Sequence, residues 1–350
     1  MHIPDGYLSP QTCAVFGAAM LPVWGAAARK VRATLKARQV PLLAIGAAFS
    51  FTIMMYNIPI PDGTTAHATG GALLAILLGP WAAAIGLSIA LAIQALFFGD
   101  GGILAFGANA FNIAFIQPFA SFYVYQLLTG RSPVSPGRRV LAATIAGFTG
   151  INLAALAAAV EFGLQPVLFH TASGVPLYSP YPLALAVPAM ALAHLLVAGP
   201  AEGIVTGLVV RYLERANPGL LQLYPEARTA AAAGAGGPGL KGLAIGLGIL
   251  ILLSPLGILA SGTAWGEWAP EELQQMLGFV PAGMVKLAAS WSHALFPDYT
   301  VPGLAGSFGA EALGYILSAL VGLGIIIAIF LVVHKLTTRK EKPEANYHAR

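Results

Sequence analysis

The chain is poor in charge. Of its 350 residues only 9% are Asp, Glu, Lys or Arg, while 57% are apolar. Ordinary soluble domains are about 25% charged. So little charge excludes a soluble globular enzyme, a nucleic-acid binder and a disordered chain. Cys13 is the one cysteine, which excludes a disulfide framework and a cysteine-rich metal site. No GxxxxGK[ST] occurs to bind nucleotide phosphates, no HExxH and no GxSxG. Carboxylates within apolar stretches are scarce, with Glu161 and Glu202 the exceptions, so no proton relay is evident. The reading is of a non-enzyme with neither an ATPase nor a resident cofactor; if it moves a solute against a gradient, the energy comes from a partner.

What is present is apolar length. Mean hydropathy is +0.76. A helix of about 20 apolar residues crosses the hydrocarbon core. Nine such stretches are predicted, over 8–28, 40–58, 66–79, 81–98, 103–129, 140–163, 183–212, 242–260 and 312–334. The expected fold is an all-α polytopic membrane protein of about nine transmembrane helices in a 7 + 2 arrangement. The third stretch is short, and with the fourth it reads either as two crossings or as one broken helix.

Basic residues discriminate between these. Arg29–Arg38, Arg131–Arg139, Arg211–Lys241 and Lys335–Arg350 bracket alternate loops. With nine crossings, every Lys and Arg except Lys286 falls on one side, which the positive-inside rule makes cytoplasmic. The N-terminus is then outside and the C-terminus inside, in a bacterial-type cytoplasmic membrane. Residues 1–9, MHIPDGYLS, have no positive n-region and no clear cleavage site follows, so Met1 is expected to be the mature N-terminus. Residues 216–240 are rich in Pro, Ala and Gly, the composition of a linker. They divide a seven-helix unit, 1–215, from a two-helix unit, 241–350, whose external loop is 261–311.

The first two residues carry the sharpest chemistry. A terminus of the form Xaa-His offers three nitrogens in one plane: the terminal amine, the amide of residue 2 and the imidazole of residue 2. The amine and amide close a five-membered ring, the amide and Nδ1 a six-membered one. Square-planar nitrogen sites suit Ni(II) and Cu(II). Pro4-Asp5-Gly6 reads as a turn, so this terminus is structured. His67, after the turn at Pro61-Asp62-Gly63, lies on the same outer face and offers a fourth nitrogen. Asn109 and Asn112, three apart on one helix, are candidates for outer-shell residues that orient the ligands.

MHIPDGYLS, together with His67 in DGTTAHATGG and with GANAFNIAFIQPF at 107–119, resembles the NikM/CbiM family. These are the substrate-binding components of nickel and cobalt energy-coupling-factor transporters. The resemblance covers roughly 1–220. It implies a square-planar metal held by Met1, His2 and His67, with Ni2+ or Co2+ as transported substrate. It also implies a coupling transmembrane subunit and ATP-binding subunits as partners in the lipid bilayer. MHIPDG is similar to the nickel type more than the cobalt type, which often reads MHIMEG. The two-helix unit, with FPDYTVPGL at 296–304, is similar to the small accessory component of such systems, here fused. The alternatives are a cobalt importer subunit for cobalamin biosynthesis and a stand-alone secondary transporter or channel.

Overall fold

The structure is a computed structural model describing residues 2–35, 39–61, 63–130, 134–221, 238–260, 262–288 and 293–338. Met1, Asp62, most of the predicted linker and the basic end of the chain fall outside the described residues.

Helix α1 (Pro10–Thr34) starts where the Ser9 hydroxyl accepts from the amide of Thr12 and proline occupies the first turn, the favoured chemistry of a helix N-terminus. Helix α2 (Val40–Met54) leads to a small hairpin of β1 (Ile58–Pro59) and β2 (Thr65–Ala66), pairing Ile58 with Ala66. Helix α3 (Gly71–Leu78) and helix α4 (Pro80–Ile93) follow, with α4 ending in a π turn over Gln94–Phe98. Helix α5 (Phe106–Asn109) widens into a π stretch (Ala110–Ile116) and continues as α6 (Gln117–Thr129). Next come α7 (Pro136–Leu168) and α8 (Leu183–Ala193), which passes through a π turn (His194–Ala198) into α9 (Gly199–Ala216). The second unit holds α10 (Pro238–Leu253), α11 (Pro270–Leu277), α12 (Ala282–Ala288) and α13 (Phe308–Thr338).

Six of the described helices are long and apolar enough to cross a membrane: Pro10–Thr34, Pro80–Phe98, Pro136–Leu168, Leu183–Ala216, Leu240–Leu259 and Phe308–Val333. The chain is an all-α polytopic membrane protein. Its packing is the reverse of a soluble bundle. Along α7 the buried face is Ala142, Ala146, Gly150, Ala154 and Ala158, while Leu141, Leu153, Leu156 and Leu164 face outward. Lipid is as apolar as leucine, so helices gain by burying small residues that let backbones approach. A Cβ at Gly203 of α9 would come within 2.7 Å of the Thr144 carbonyl on α7, which shows how close these two helices lie.

The stretch 66–79 is not a full-length helix. Only Gly71–Leu78 is helical, a rise of about 12 Å against a core of about 30 Å. His67–Gly70 ahead of it is irregular and buried. Irregular backbone at membrane depth is tolerated only where protein satisfies its polar groups, and Glu202 does this here, as described below.

The second unit docks on the first. Tyr56 donates its hydroxyl to the Leu250 carbonyl at 2.5 Å and Tyr315 to the Met55 carbonyl at 3.1 Å. A Cβ at Gly242 would overlap the Tyr212 hydroxyl of α9, whereas one at Gly246 would meet nothing within 4 Å among the described residues. The segment after α10 crosses over the N-terminal residues, where the Tyr7 hydroxyl donates to the Trp268 carbonyl at 2.8 Å.

Candidate metal centre

Residues 2–9 are a plug seated in the bundle. Ile3, Tyr7, Leu8 and Ser9 are all fully buried, and each large apolar side chain contributes about 1.5–3 kcal/mol to seating. Polar contacts fix the register. The Asn109 amide clamps Ile3 from both sides, its Oδ1 accepting from the Ile3 amide at 2.7 Å and its Nδ2 donating to the Ile3 carbonyl at 3.0 Å. The Ile3 carbonyl also accepts from the Gly102 amide at 2.8 Å. The Asp5 carboxylate accepts from the amides of Ile103, Leu104 and Ala105 at 2.9–3.1 Å, placing negative charge at the start of α5. A Cβ at Gly102 would overlap the Asp5 carboxylate, so Gly102 is what admits it. The Ser9 amide donates to Gln165 Oε1 at 2.9 Å.

This seating brings His2 beside His67. Their rings stack with centroids 5.1 Å apart and planes 21° apart, and both are buried, at 2% and 5% exposure. His67 Nδ1 lies 3.1 Å from the Ala68 carbonyl. A carbonyl accepts only, so Nδ1 carries the proton and Nε2 keeps its lone pair, the usual arrangement of a metal-ligating histidine.

His2 Nδ1 lies 3.0 Å from Asp100 Oδ1. The other oxygen, Oδ2, accepts from the Tyr299 hydroxyl at 2.6 Å and from Gln94 Nε2 at 3.3 Å. Burial alone would raise the Asp100 pKa, but His2 and the Tyr299 hydroxyl outweigh it and hold the carboxyl below the usual carboxylate range. Among the described residues, buried His2 Nε2 has no hydrogen-bond partner. His2, His67, Asp100 and Tyr299 line a cavity of about 610 Å³ shared by both units, with Met54 from the first unit and Trp268 and Tyr315 from the second. Among the described residues, no three His, Cys, Asp or Glu side chains converge into a cage.

Residues 2–220 match the family model CbiM, the cobalt uptake substrate-specific transmembrane region. The chain belongs to the CbiM family. Residues 241–339 of this CbiM-family chain match the PDGLE domain. It is 50% identical to the fused nickel transport protein NikMN of Rhodobacter capsulatus, over 94% of the chain and 95% of that protein. It is 48% identical to the probable fused nickel transport protein LarMN of Lactiplantibacillus plantarum, over 94% and 96%. A crystal structure of a truncated transition metal transporter shares 61% identity and a TM-score of 0.58, covering 61% of the chain and 98% of its own.

In this family member the predicted residues separate. His2, His67 and Asn109 come together; Met1 lies outside the described residues. Asn112 points elsewhere, donating to Glu161 Oε2 on α7 at 3.0 Å. The π stretch beginning at Ala110 is the reason, because its wider turns rotate Asn112 away from the face Asn109 occupies. His194 is buried, with Nδ1 2.8 Å from the Met190 carbonyl, and does not line the cavity. His170 and His293 are exposed. Gln94 donates to Asp100 and Tyr299, and Gln117 donates to Thr69 and Glu202. Asp100 and Tyr299 were not predicted. Gly99-Asp100-Gly101-Gly102 was the available signal for Asp100, since both Gly99 and Gly101 hold positive φ and a turn so built presents its one side chain inward.

Proposed function

We propose that this chain captures Ni2+ outside the cytoplasmic membrane as the metal-binding subunit of an energy-coupling-factor importer. The observation that carries the reading is the buried plug, which sets His2 against a His67 whose Nε2 is free to ligate. The terminal amine of Met1, the amide and Nδ1 of His2, and Nε2 of His67 then form one nitrogen plane. In the structure His2 Nδ1 is turned to Asp100, so chelation requires the ring to turn toward its own amide. Asp100 then remains beside the ion as negative charge, which favours a dication. Asn109 positions the plug; Asn112 acts from a distance, through α7. A coupling transmembrane subunit and ATP-binding subunits, as separate chains, drive inward release. The seven-helix unit over 1–215 binds metal, and the unit over 241–350 helps load it through Tyr299 and Trp268, with the N-terminus outside and the C-terminus cytoplasmic. Nickel is favoured over cobalt by three relatives that match along 94% of the chain, all named for nickel. Co2+ is the second reading, since a cobalt transport protein CbiM of a Nostoc species is 32% identical over 64% of the chain.

Calorimetric titration of the full-length protein, with no tag at the N-terminus, tests this. Ni(II) binds at one site per chain more tightly than Co(II), with Cu(II) tighter still by the affinity order of divalent metals. Equal or stronger Co(II) binding moves the assignment to the second reading, and no binding removes both. Transport in vesicles requires the ATP-binding partners; uptake by the chain alone contradicts the coupled mechanism.

Two further outcomes are expected. Ligation displaces the amine and amide protons, while His67 Nε2 carries none in the tautomer that its Nδ1 contact with the Ala68 carbonyl fixes. Nickel affinity therefore weakens by at least about 100-fold per pH unit as pH falls below the amine pKa, about 7.7–8. Titrations in buffers of different ionisation enthalpy count the protons released. Tyr299→Phe removes the hydroxyl bonded to Asp100 and weakens nickel binding by roughly tenfold, the low end for an outer-shell partner, read by the same calorimetry.

A further inference from the structure

We infer that Glu202 is a positioning residue for the metal centre: its carboxylate anchors the backbone that carries His67. Glu202 is 1% exposed in α9. An ionisable group within a span is a functional suspect by default, and no partner for it was legible in the sequence. The structure supplies one. Oε2 accepts from the amides of Thr69 at 2.7 Å and Gly70 at 2.9 Å, and Oε1 accepts from the amide of Ala72 at 3.2 Å. Gln117 Nε2 ties the assembly together, donating to Oε1 at 3.2 Å and to Thr69 Oγ1 at 2.5 Å.

These amides have no helical acceptor. They lie in the irregular stretch behind His67 and at the start of the short helix α3, where the first N–H groups point outward and negative charge is stabilised. Gly70 holds φ +73°, the left-handed turn that directs successive amides at one oxygen. His67 is two residues from Thr69, so its ring cannot shift far without breaking this set. Glu202 is itself fixed, because α9 lies in backbone contact with α7 at Gly203. The position of His67 is thus dictated from 135 residues away through one carboxylate. A site that selects a square plane depends on such placement, since a displaced fourth nitrogen changes both affinity and geometry.

This inference rests on the proposed nitrogen site, and the test separates the two. Ni(II) is titrated into the full-length protein, untagged at its N-terminus, and followed by calorimetry and by the visible absorption of bound nickel. Glu202→Gln keeps the volume but turns a donor toward the backbone amides. It is expected to bind nickel at least about tenfold more weakly, with a shifted absorption band, because outer-shell partners are worth 10–100-fold in metal affinity. Glu214→Gln removes a carboxylate from the other end of α9 and leaves affinity and band native. A purely structural role for Glu202 would lower thermal stability and leave the band of bound nickel unchanged. Should Glu202→Gln not yield folded protein, Glu202→Asp carries the test. It keeps the charge but withdraws it by one methylene, and weaker binding with a shifted band is again expected. Native affinity and a native band in whichever variant folds overturn the anchor. His67→Ala is run beside them: if it too binds as native, the metal-centre reading itself fails.

Discussion

Two residues added ahead of Met1 lower nickel affinity by more than about 100-fold, beyond what loss of an outer-shell partner costs. Two effects combine. The amine moves out of reach of the five-membered ring it closes with the His2 amide, so one ligand is lost and with it the pre-arranged plane. The plug is also buried to its first described residue, with His2 2% exposed, so extra residues must be accommodated within the cavity above it. The length of the extension matters. One added residue would put the histidine third, and a terminus of the form Xaa-Zaa-His has four nitrogens of its own and needs no His67. Two residues remove that escape. Nα-acetylation of the native terminus is the milder form of the same test, because it withdraws the amine without moving the chain. Isothermal titration of the three proteins reads the effect. Native affinity in the doubly extended protein contradicts the use of the terminal amine.

His67→Ala carries the second large effect. It leaves three nitrogens in place and removes the fourth, and the account expects about a 100-fold weaker site, equivalent to about 2.7 kcal/mol. The variant should keep its fold. Among the described residues the His67 side chain bonds the carbonyl of its neighbour Ala68, and its ring stacks on His2 without spanning helices. Thermal unfolding near the native temperature, combined with weakened binding, separates ligand loss from collapse of the bundle. His194→Ala is the internal comparison. It removes another buried histidine, one that does not line the cavity, and leaves nickel affinity within a few fold.

Local chemistry was legible and long-range chemistry was not. Charge scarcity and apolar length identified a polytopic helical membrane protein without reference to any contact. Pro4-Asp5-Gly6 signalled an ordered terminus, and the structure shows why: Asp5 has the amides of 103–105 to bind. Yet the identity of those amides lies about a hundred residues away, and nothing in residues 1–9 names them. The same holds for Asp100. Two of its partners, His2 and Tyr299, come from opposite ends of the chain. Glu202 stood out as an ionisable residue in an apolar stretch, but its role required knowing that 66–79 breaks into loop and half-helix. An apolar run reads alike whether its backbone is helical or irregular, because hydropathy measures side chains and the break is a matter of backbone amides. Three π segments, beginning at Gln94, Ala110 and His194, escaped for a related reason. Each shifts the helical phase by less than a turn, too little to disturb an apolar pattern but enough to send Asn109 and Asn112 to different neighbours.

The central claim is that the ion sits in a plane of four nitrogens, two of them imidazole. X-ray absorption at the nickel edge of the loaded, full-length protein tests it most directly. The account predicts a four-coordinate, square-planar edge with only light-atom ligands and the multiple scattering of two imidazoles. A six-coordinate, oxygen-rich shell, or a single imidazole, would contradict it.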